Sequence, residues 1–377
     1  MNTRTAVLAT LLAAALTGEL VGQNRIVART AVLIEGYTFD SGLVYDKISE
    51  FTVPVSVSIP VGRLASVTLS GGYVSVDLTS ADATLLADQA ISGMLDTEVR
   101  VTLNVVPGRL LLIGTGAIPS GIKTVQQDEL SILGALSSDL IGFSTSTVGT
   151  GGNVGGGFVG ALPLGRYALG VGASYKQPLS YQPVSGRDSL LRQGGELRLR
   201  AGLEGPLARR TYLRFAGIYA ARQKDQLGGQ TKHGVGNRII GYLALSQGLG
   251  SAMSVTLYGF DVFRSNPQIE PTALGAAILP RGNLLALGGR LAFALGRRTS
   301  FTPHAEYRIS AIAVDTSDTT LRRAGSTVRM GAELRHGFGW RTAVVLQGSG
   351  VFGNVVQAGR DINLRGFRAA LKLELIP

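Results

Sequence analysis

The sequence predicts an all-β fold: a transmembrane antiparallel β-barrel of about sixteen strands, or fourteen if the first strand, Thr30 to Phe39, does not form. Three observations predict it. Hydrophobicity alternates with period two along most of the chain, a short turn rich in Pro, Gly and Arg recurs, and those turns alternate with long connections.

The alternation is clearest in five segments. Phe51, Val53, Val55, Val57 and Ile59 enclose Thr52, Pro54, Ser56 and Ser58, and Val99, Val101, Leu103 and Val105 enclose Arg100, Thr102 and Asn104. Leu197, Leu199, Ala201 and Leu203 interleave with Arg198 and Arg200, and Val328, Met330, Ala332 and Leu334 with Arg329 and Glu333. The last segment sets Phe367, Ala369, Leu371, Leu373 and Leu375 against Arg368, Lys372 and Glu374. Successive side chains of a strand point to opposite faces, so each segment has one oily face and one ionic face.

The turns read Pro60-Val61-Gly62-Arg63, Pro107-Gly108-Arg109, Pro163-Leu164-Gly165-Arg166 and Pro206-Leu207-Ala208-Arg209, then Gly248-Leu249-Gly250, Gly296-Arg297-Arg298 and Gly337-Phe338-Gly339-Trp340-Arg341. Glycine supplies the positive dihedrals of tight hairpins and proline presets the neighbouring position. The long connections fall near Asp40–Asp46, Leu78–Asp96, Ile118–Thr150, Leu179–Gln193, Gln223–Asn237, Arg264–Arg281, Asp315–Gly325 and Asn354–Asn363. Seven tight turns between such loops, with a strand at each end, give sixteen strands.

Composition excludes several function classes. The 377 residues are 45% hydrophobic and only 16% charged, too apolar for a disordered tail. With no cysteine there is no disulfide, thiolate metal site or cysteine nucleophile. Three histidines, His233, His304 and His336, leave little for a metal centre, and neither metal nor cofactor is expected. At the N-terminus, Arg4 precedes the apolar run Ala6–Leu16, which is shorter than the roughly 20 residues of a spanning helix. Residues 1–22 therefore read as a signal peptide, cleaved near Gly22 or alternatively Gly18, ahead of a single barrel domain, 23–377.

Long strands decide between a water-soluble sandwich and a membrane barrel. Crossing a hydrocarbon layer at a tilt takes roughly nine to eleven residues per strand, and in lipid only a closed barrel pairs every backbone group. Short periplasmic turns and long extracellular loops are the asymmetry expected of a bacterial outer-membrane barrel. As a pattern, Thr30 to Pro377 resembles bacterial outer-membrane porins and porin-like transporters. The stretch Asp96-Thr97-Glu98-Val99-Arg100, with Pro107-Gly108-Arg109 and Ile118-Pro119-Ser120-Gly121, looks like barrels that transport hydrophobic or aromatic compounds. The chain departs from that pattern in ending on Pro377 and in having only 6% aromatics, although Tyr167, Tyr212, Phe301 and Trp340 stand where an interfacial girdle belongs. The resemblance implies passive diffusion of small solutes, with lipid and the barrel-insertion machinery as partners and a homotrimer as a possible assembly. A transporter for apolar solutes and an adhesive barrel without an open pore are the alternatives.

If the polar member of each alternation faces the lumen, the pore-lining set is Arg100, Lys176, Glu196, Arg198, Arg200, Arg214, Arg290, Glu306, Arg308, Arg329, Glu333, Arg335, Arg368, Lys372 and Glu374, with Glu98 and Glu204. Its excess of cations predicts weak anion preference; the competing reading is that these ions pair into ladders across the strands. A helix is predicted over Asp128–Phe143, with Leu130, Leu133, Leu136, Leu140 and Ile141 as its apolar stripe. It would narrow the mouth, greet an apolar solute or merely cover the rim. The turn arginines Arg63, Arg109, Arg166, Arg209, Arg210, Arg297, Arg298 and Arg341 would sit at headgroup level or simply be solvated. Basic residues spread over many strands without stacking aromatics argue against nucleic acid. His304, near Glu306 and Arg308, lacks a nucleophile, so no enzymatic activity is expected.

Overall fold

The computed structural model describes residues 26–375, apart from 83, 85, 128, 272–278, 317 and 340. The signal-peptide segment, Asp128, Trp340 and Pro377 lie outside the described residues. Twenty strands form: β1 (Val27–Phe39), β2 (Tyr45–Val61), β3 (Ala65–Ser80), β4 (Gln89–Met94), β5 (Thr97–Val106), β6 (Leu110–Ile118), β7 (Asn153–Leu164), β8 (Tyr167–Pro178), β9 (Leu191–Arg192), β10 (Glu196–Ala208), β11 (Thr211–Arg222), β12 (Gln226–Leu227), β13 (Gln230–Thr231), β14 (Arg238–Gly248), β15 (Met253–Arg264), β16 (Gly282–Ala294), β17 (Thr299–Ile312), β18 (Arg322–Phe338), β19 (Thr342–Gln357) and β20 (Arg360–Leu375). One short helix, α1 (Leu130–Leu136), lies in the longest connection.

Seventeen of these strands make one antiparallel sheet, and β9, β12 and β13 form a small sheet in the loops. β4 and β5 pair with the upper and lower halves of β3 and so make one interrupted stave, which leaves sixteen staves. The break falls at Leu95-Asp96, opposite Gly71-Gly72, where Leu95 N–H donates to Gly72 O at 2.8 Å. Closure comes from β1, which pairs with β2 on one side and with β20 on the other, from Ala28↔Leu375 to Phe39↔Leu364. Below the β4–β5 break such a ring has no free edge, which satisfies the backbone without water, whereas β4 above it pairs with β3 alone. Among the described residues no helix is long and apolar enough to cross a membrane, and the strands do the crossing.

On β20 the outward residues Leu375, Leu373, Leu371, Ala369 and Phe367 form the apolar belt, followed by Arg365, Asn363 and Asp361. Nine residues at ~3.3 Å each, tilted by ~40°, span about 20 Å, close to the thickness of an outer-membrane apolar band. Leu371 and Phe367 are exposed while the alternate Arg368 side chain is largely buried.

Above the belt the alternation inverts. On β3 the apolar residues are Val67 and Leu69, outward, in the lower half, but Val74, Val76 and Leu78, inward, in the upper half, with Ser75 and Asp77 now outside. β1, β2 and β20 do the same with Tyr37, Phe39, Ile48, Leu364 and Ile362. One oily face per strand is thus the wrong expectation for these upper arms. They leave the bilayer, so their outer face meets water and their inner face can bury apolar side chains.

Two connections differ from expectation. The segment Asn354–Asn363, expected as a long loop, is a tight hairpin: β19 and β20 pair as far as Gln357↔Arg360, and Ala358 (φ 50°) and Gly359 (φ 77°) make the turn. Its polar residues mimic a loop because this arm stands in water on its outer face. The connection expected over Leu78–Asp96 is about half ladder, since β3 runs to Ser80 and β4 supplies Gln89–Met94. Of the expected girdle, Tyr167 and Phe301 lie on the outward register; Tyr212 shares the parity of Arg214 and faces inward.

Candidate functional site

The inner wall is defined by register. Arg100, Thr115, Gly155, Lys176, Glu196 and Arg222 are successive cross-strand partners from β5 to β11. Arg198, Arg200 and Arg214 share that face, as do Arg290, Glu306, Arg308, Arg329, Glu333, Arg335, Arg368, Lys372 and Glu374 on the other half of the ring. All the residues singled out by alternation therefore share one parity.

The connection between β6 and β7 enters the barrel. Its residues 139–150 contact β1, β2, β15, β17, β18, β20 and the β4–β5 break, always through the inner parity, which only a segment inside the ring can do. The backbone carbonyls of residues 139, 141 and 142 accept from Arg308 (3.4 Å), Arg329 (3.0 Å) and Arg368 (2.6 Å). The Asp139 carboxylate lies 3.7 Å from Arg264. Glu35, only 1% exposed, takes the Ser144 N–H (3.0 Å), the Ser144 hydroxyl, the Tyr37 hydroxyl (3.1 Å) and the Arg368 guanidinium (2.6 Å). Glu50, at 2% exposure and directly across the ladder from Glu35, takes the Thr145 N–H (3.0 Å) and the Thr52 hydroxyl. Asp96, in the stave break, closes the loop at its base, accepting from Gly121 N–H (3.1 Å), Thr150 N–H (2.9 Å) and the Thr150 hydroxyl (3.0 Å).

The apolar part of the loop uses the inverted upper wall. Ile132, Ala135, Leu136, Ile141 and Phe143 are buried with Tyr37, Phe39, Ile48, Val74, Val76, Leu78, Ile91, Val351, Ile362 and Leu364, while Leu130 and Leu133 pack at the edge. Leu140 is buried as well. Phe143 meets Tyr37 edge-on at 5.0 Å. The helix is seven residues long, not the expected Asp128–Phe143, because Ser137 and Ser138 take the chain into a turn and Gly142 adopts φ 62°. Its leucine stripe packs against the wall, Leu136 within the cluster and Leu130 and Leu133 partly buried beside it.

The ring is thereby divided. From β15 round to β4 the upper inner face is covered by the loop, whereas β5 to β14 keep theirs clear of it. On that clear arc, Arg100 pairs with Glu98 (3.1 Å), Arg214 with Glu204 (2.9 Å), and Glu196 with both Arg222 (2.7 Å) and Arg198. Lys176, Arg200 and Arg238 have no carboxylate within 4.0 Å among the described residues, and the arc's seven cations face three glutamates. Beside them lie Gly155, Gly157, Gly172 and Ser174, whose small size leaves the wall flat between the cations. On the covered arc, Arg308 pairs with Glu306 (2.7 Å), which also accepts from Tyr258 (2.8 Å). Below the loop Arg335 meets Glu374 (3.4 Å) and Lys372 meets Glu333 (4.0 Å). Arg290 and Arg329 on the covered arc also have no carboxylate within 4.0 Å among the described residues, Arg329 donating instead to the Ile141 carbonyl, so pairing across the strands is incomplete on both halves.

Sequence reasoning missed Glu35, Glu50, Asp96, Arg222, Arg238 and Arg264. The first two carried a usable signal: each is a lone carboxylate in an apolar strand, in Leu33-Ile34-Glu35-Gly36-Tyr37 and Ile48-Ser49-Glu50-Phe51. His304 is the cross-strand partner of Arg290, and among the described residues no three His, Asp or Glu side chains cluster as a metal site would need.

No family model matches the chain, and no curated protein matches it. Solved structures similar in fold include a bacterial polysaccharide outer membrane secretin (9% identity, 92% of this chain and 98% of that chain covered, TM-score 0.49). OpdQ of Pseudomonas aeruginosa is another (10% identity, 95% and 100% covered, TM-score 0.46), as is the CymD monoaromatic hydrocarbon channel (10%, 94% and 89%, TM-score 0.44). At these identities the side-chain chemistry has to be argued from this chain's own residues.

Proposed function

We propose that this sixteen-stranded outer-membrane barrel is a channel for passive diffusion of small solutes with a weak preference for anions. The observation that carries the reading is the clear arc from β5 to β14, where seven cations face three glutamates. Fixed positive charge in a confined, low-dielectric tube raises the local anion concentration and disfavours cations. Solute would pass along this arc because the opposite upper wall is occupied by the loop. Flat glycine positions at Gly155, Gly157 and Gly172 widen the passage where Lys176, Arg198 and Arg200 project.

The test is the reversal potential of the reconstituted channel in a potassium chloride gradient. A chloride-selective sign is expected, smaller in high salt, where the Debye length falls to about 3 Å at 1 M. A cation-selective sign refutes the anion preference, and absence of conductance in correctly folded protein refutes the channel. A dedicated route for apolar solutes gains no support from α1, since its leucines face the wall.

A further inference from the structure

The seven tight turns at the periplasmic end share a composition that the lumen does not need. Six carry arginine: Arg63, Arg109, Arg166, the Arg209-Arg210 pair, the Arg297-Arg298 pair and Arg341. Beside every one of the seven stands an exposed apolar side chain: Leu64 (55%), Val105, Leu164 (59%), Leu207, Leu249, Leu295 (64%) and Phe338. Across the turn windows 59–66, 104–112, 161–169, 205–213, 246–255, 292–302 and 336–344 there is no aspartate or glutamate. The opposite end is mixed, with Asp40, Asp82, Asp88, Asp188, Asp225, Asp315 and Asp318 among its cations.

Each element of this ring has a physical reason to meet phosphate in a bilayer. The turns are short, with Gly62, Gly108, Gly165 and Gly339 at positive φ, so the arginines lie within a residue or two of the apolar belt. A leucine at a turn tip is costly in water and favourable in the interfacial layer, while the neighbouring guanidinium reaches outward and binds phosphate oxygens bidentately. A soluble polyanion would meet the same charge but would leave the leucines exposed. We infer that the periplasmic rim is a binding ring for anionic phospholipid headgroups, one or two phosphates per turn. The inference rests on the outer-membrane placement of the barrel and is independent of what the lumen conducts.

The test uses the full chain refolded in mixed phosphatidylcholine and phosphatidylglycerol vesicles, extracted gently, with retained lipid counted by native mass spectrometry. With near-surface arginines each attracting anionic lipid, the ratio of phosphatidylglycerol to phosphatidylcholine in the retained lipid should exceed that of vesicles holding the two in equal amounts by about fivefold. An eightfold Arg→Gln variant at the turn positions should bring enrichment to near unity, and the Arg→Lys set should restore part of it. Two four-site variants, Arg63, Arg109, Arg166 and Arg209 or Arg210, Arg297, Arg298 and Arg341 to Gln, serve if the eightfold variant does not fold; each should remove about half. Heat-modified gel migration and conductance are read on the same samples, so that a loss of folding or of channel activity is separated from a loss of lipid. Unchanged enrichment in folded Arg→Gln protein overturns the inference, as does complete displacement of the lipid by inorganic phosphate or soluble polyphosphate, which would mark a water-facing anion site.

Discussion

Replacing Glu35 with alanine should undock the internal loop and leave the barrel standing. Glu35 gathers three side chains and one backbone N–H into a fully enclosed site, and its partner Arg368 also holds the carbonyl of Gly142 at 2.6 Å. Removing one member of a buried ion pair typically costs about 3–5 kcal/mol, because the other charge stays buried without compensation. The hydrogen bond lost by the Ser144 N–H, on an exposed residue, adds about 1 kcal/mol. Against this, the seams hold through eight to sixteen registered pairs each, β1–β20 from Ala28↔Leu375 to Phe39↔Leu364 among them, and their backbone bonds do not involve the carboxylate. Relief is therefore expected where the loop meets the wall. Single-channel recording should show larger and noisier conductance for Glu35→Ala, and limited proteolysis should open sites between Asp139 and Thr145, with heat-modified migration unchanged. Glu50→Gln is the control: Thr145 N–H and the Thr52 hydroxyl can still be accepted by the amide oxygen, and Glu50 Oε2 has no recorded partner to lose. Its cost should stay near 1 kcal/mol. Equal conductance and equal protease resistance for wild type and Glu35→Ala would refute the reasoning that this carboxylate holds the loop.

Three other perturbations test separate parts of the argument. Converting Lys176, Arg198 and Arg200 together to glutamine leaves four cations against three glutamates on the clear arc, and the reversal potential should move most of the way to zero. Deleting 128–143 should raise conductance and also loosen the upper arms, since Tyr37, Ile48, Val74, Val76 and Leu78 would lose the partners that bury them, at about 1.5–3 kcal/mol per large side chain; unchanged conductance would retire the constriction. In the loop sheet, burial raises the carboxyl of Asp225 above its ordinary range even though Gly194 N–H donates to it at 2.7 Å. A group with a raised folded-state pKa contributes stability that is complete below the unfolded value, about 3.9, and is lost as pH rises through the folded one. The protection of Gly194 N–H, its exchange rate taken relative to the intrinsic rate at each pH, should therefore fall from acid to neutral pH in wild type and stay level in Asp225→Asn, where the acceptor remains and the buried charge is gone; a parallel fall in both would count against the burial explanation.

Strand order, the tight turns and the shared parity of the ions picked out by alternation were legible because each depends on local chemistry, whereas Glu35, Glu50, Arg222, Arg238 and Arg264 on the same wall were not picked out. Period two places Arg198 and Arg200 on one face whatever lies across the barrel, and Gly62 or Gly165 permits a tight turn wherever it occurs. The misread segments share a different cause. Polar Asn354–Asn363 read as loop because a strand wetted outside carries polar residues there too, and Leu78 read as the start of a long connection although it stands in the ladder of β3 and points inward.

What the sequence determined by itself was a set of half-apolar hairpins that cannot be stable singly in water. Only the closed ring decided which half of the upper inner wall the loop covers. Burial of Glu35, Glu50 and the helix stripe needs β1, β2, β3, β19 and β20 brought together around a loop over a hundred residues from β1 in the chain, as in the 109-residue separation of Ser144 from Glu35. Such contacts balance desolvation of charge against apolar packing. No stretch of local sequence contains both sides of that balance.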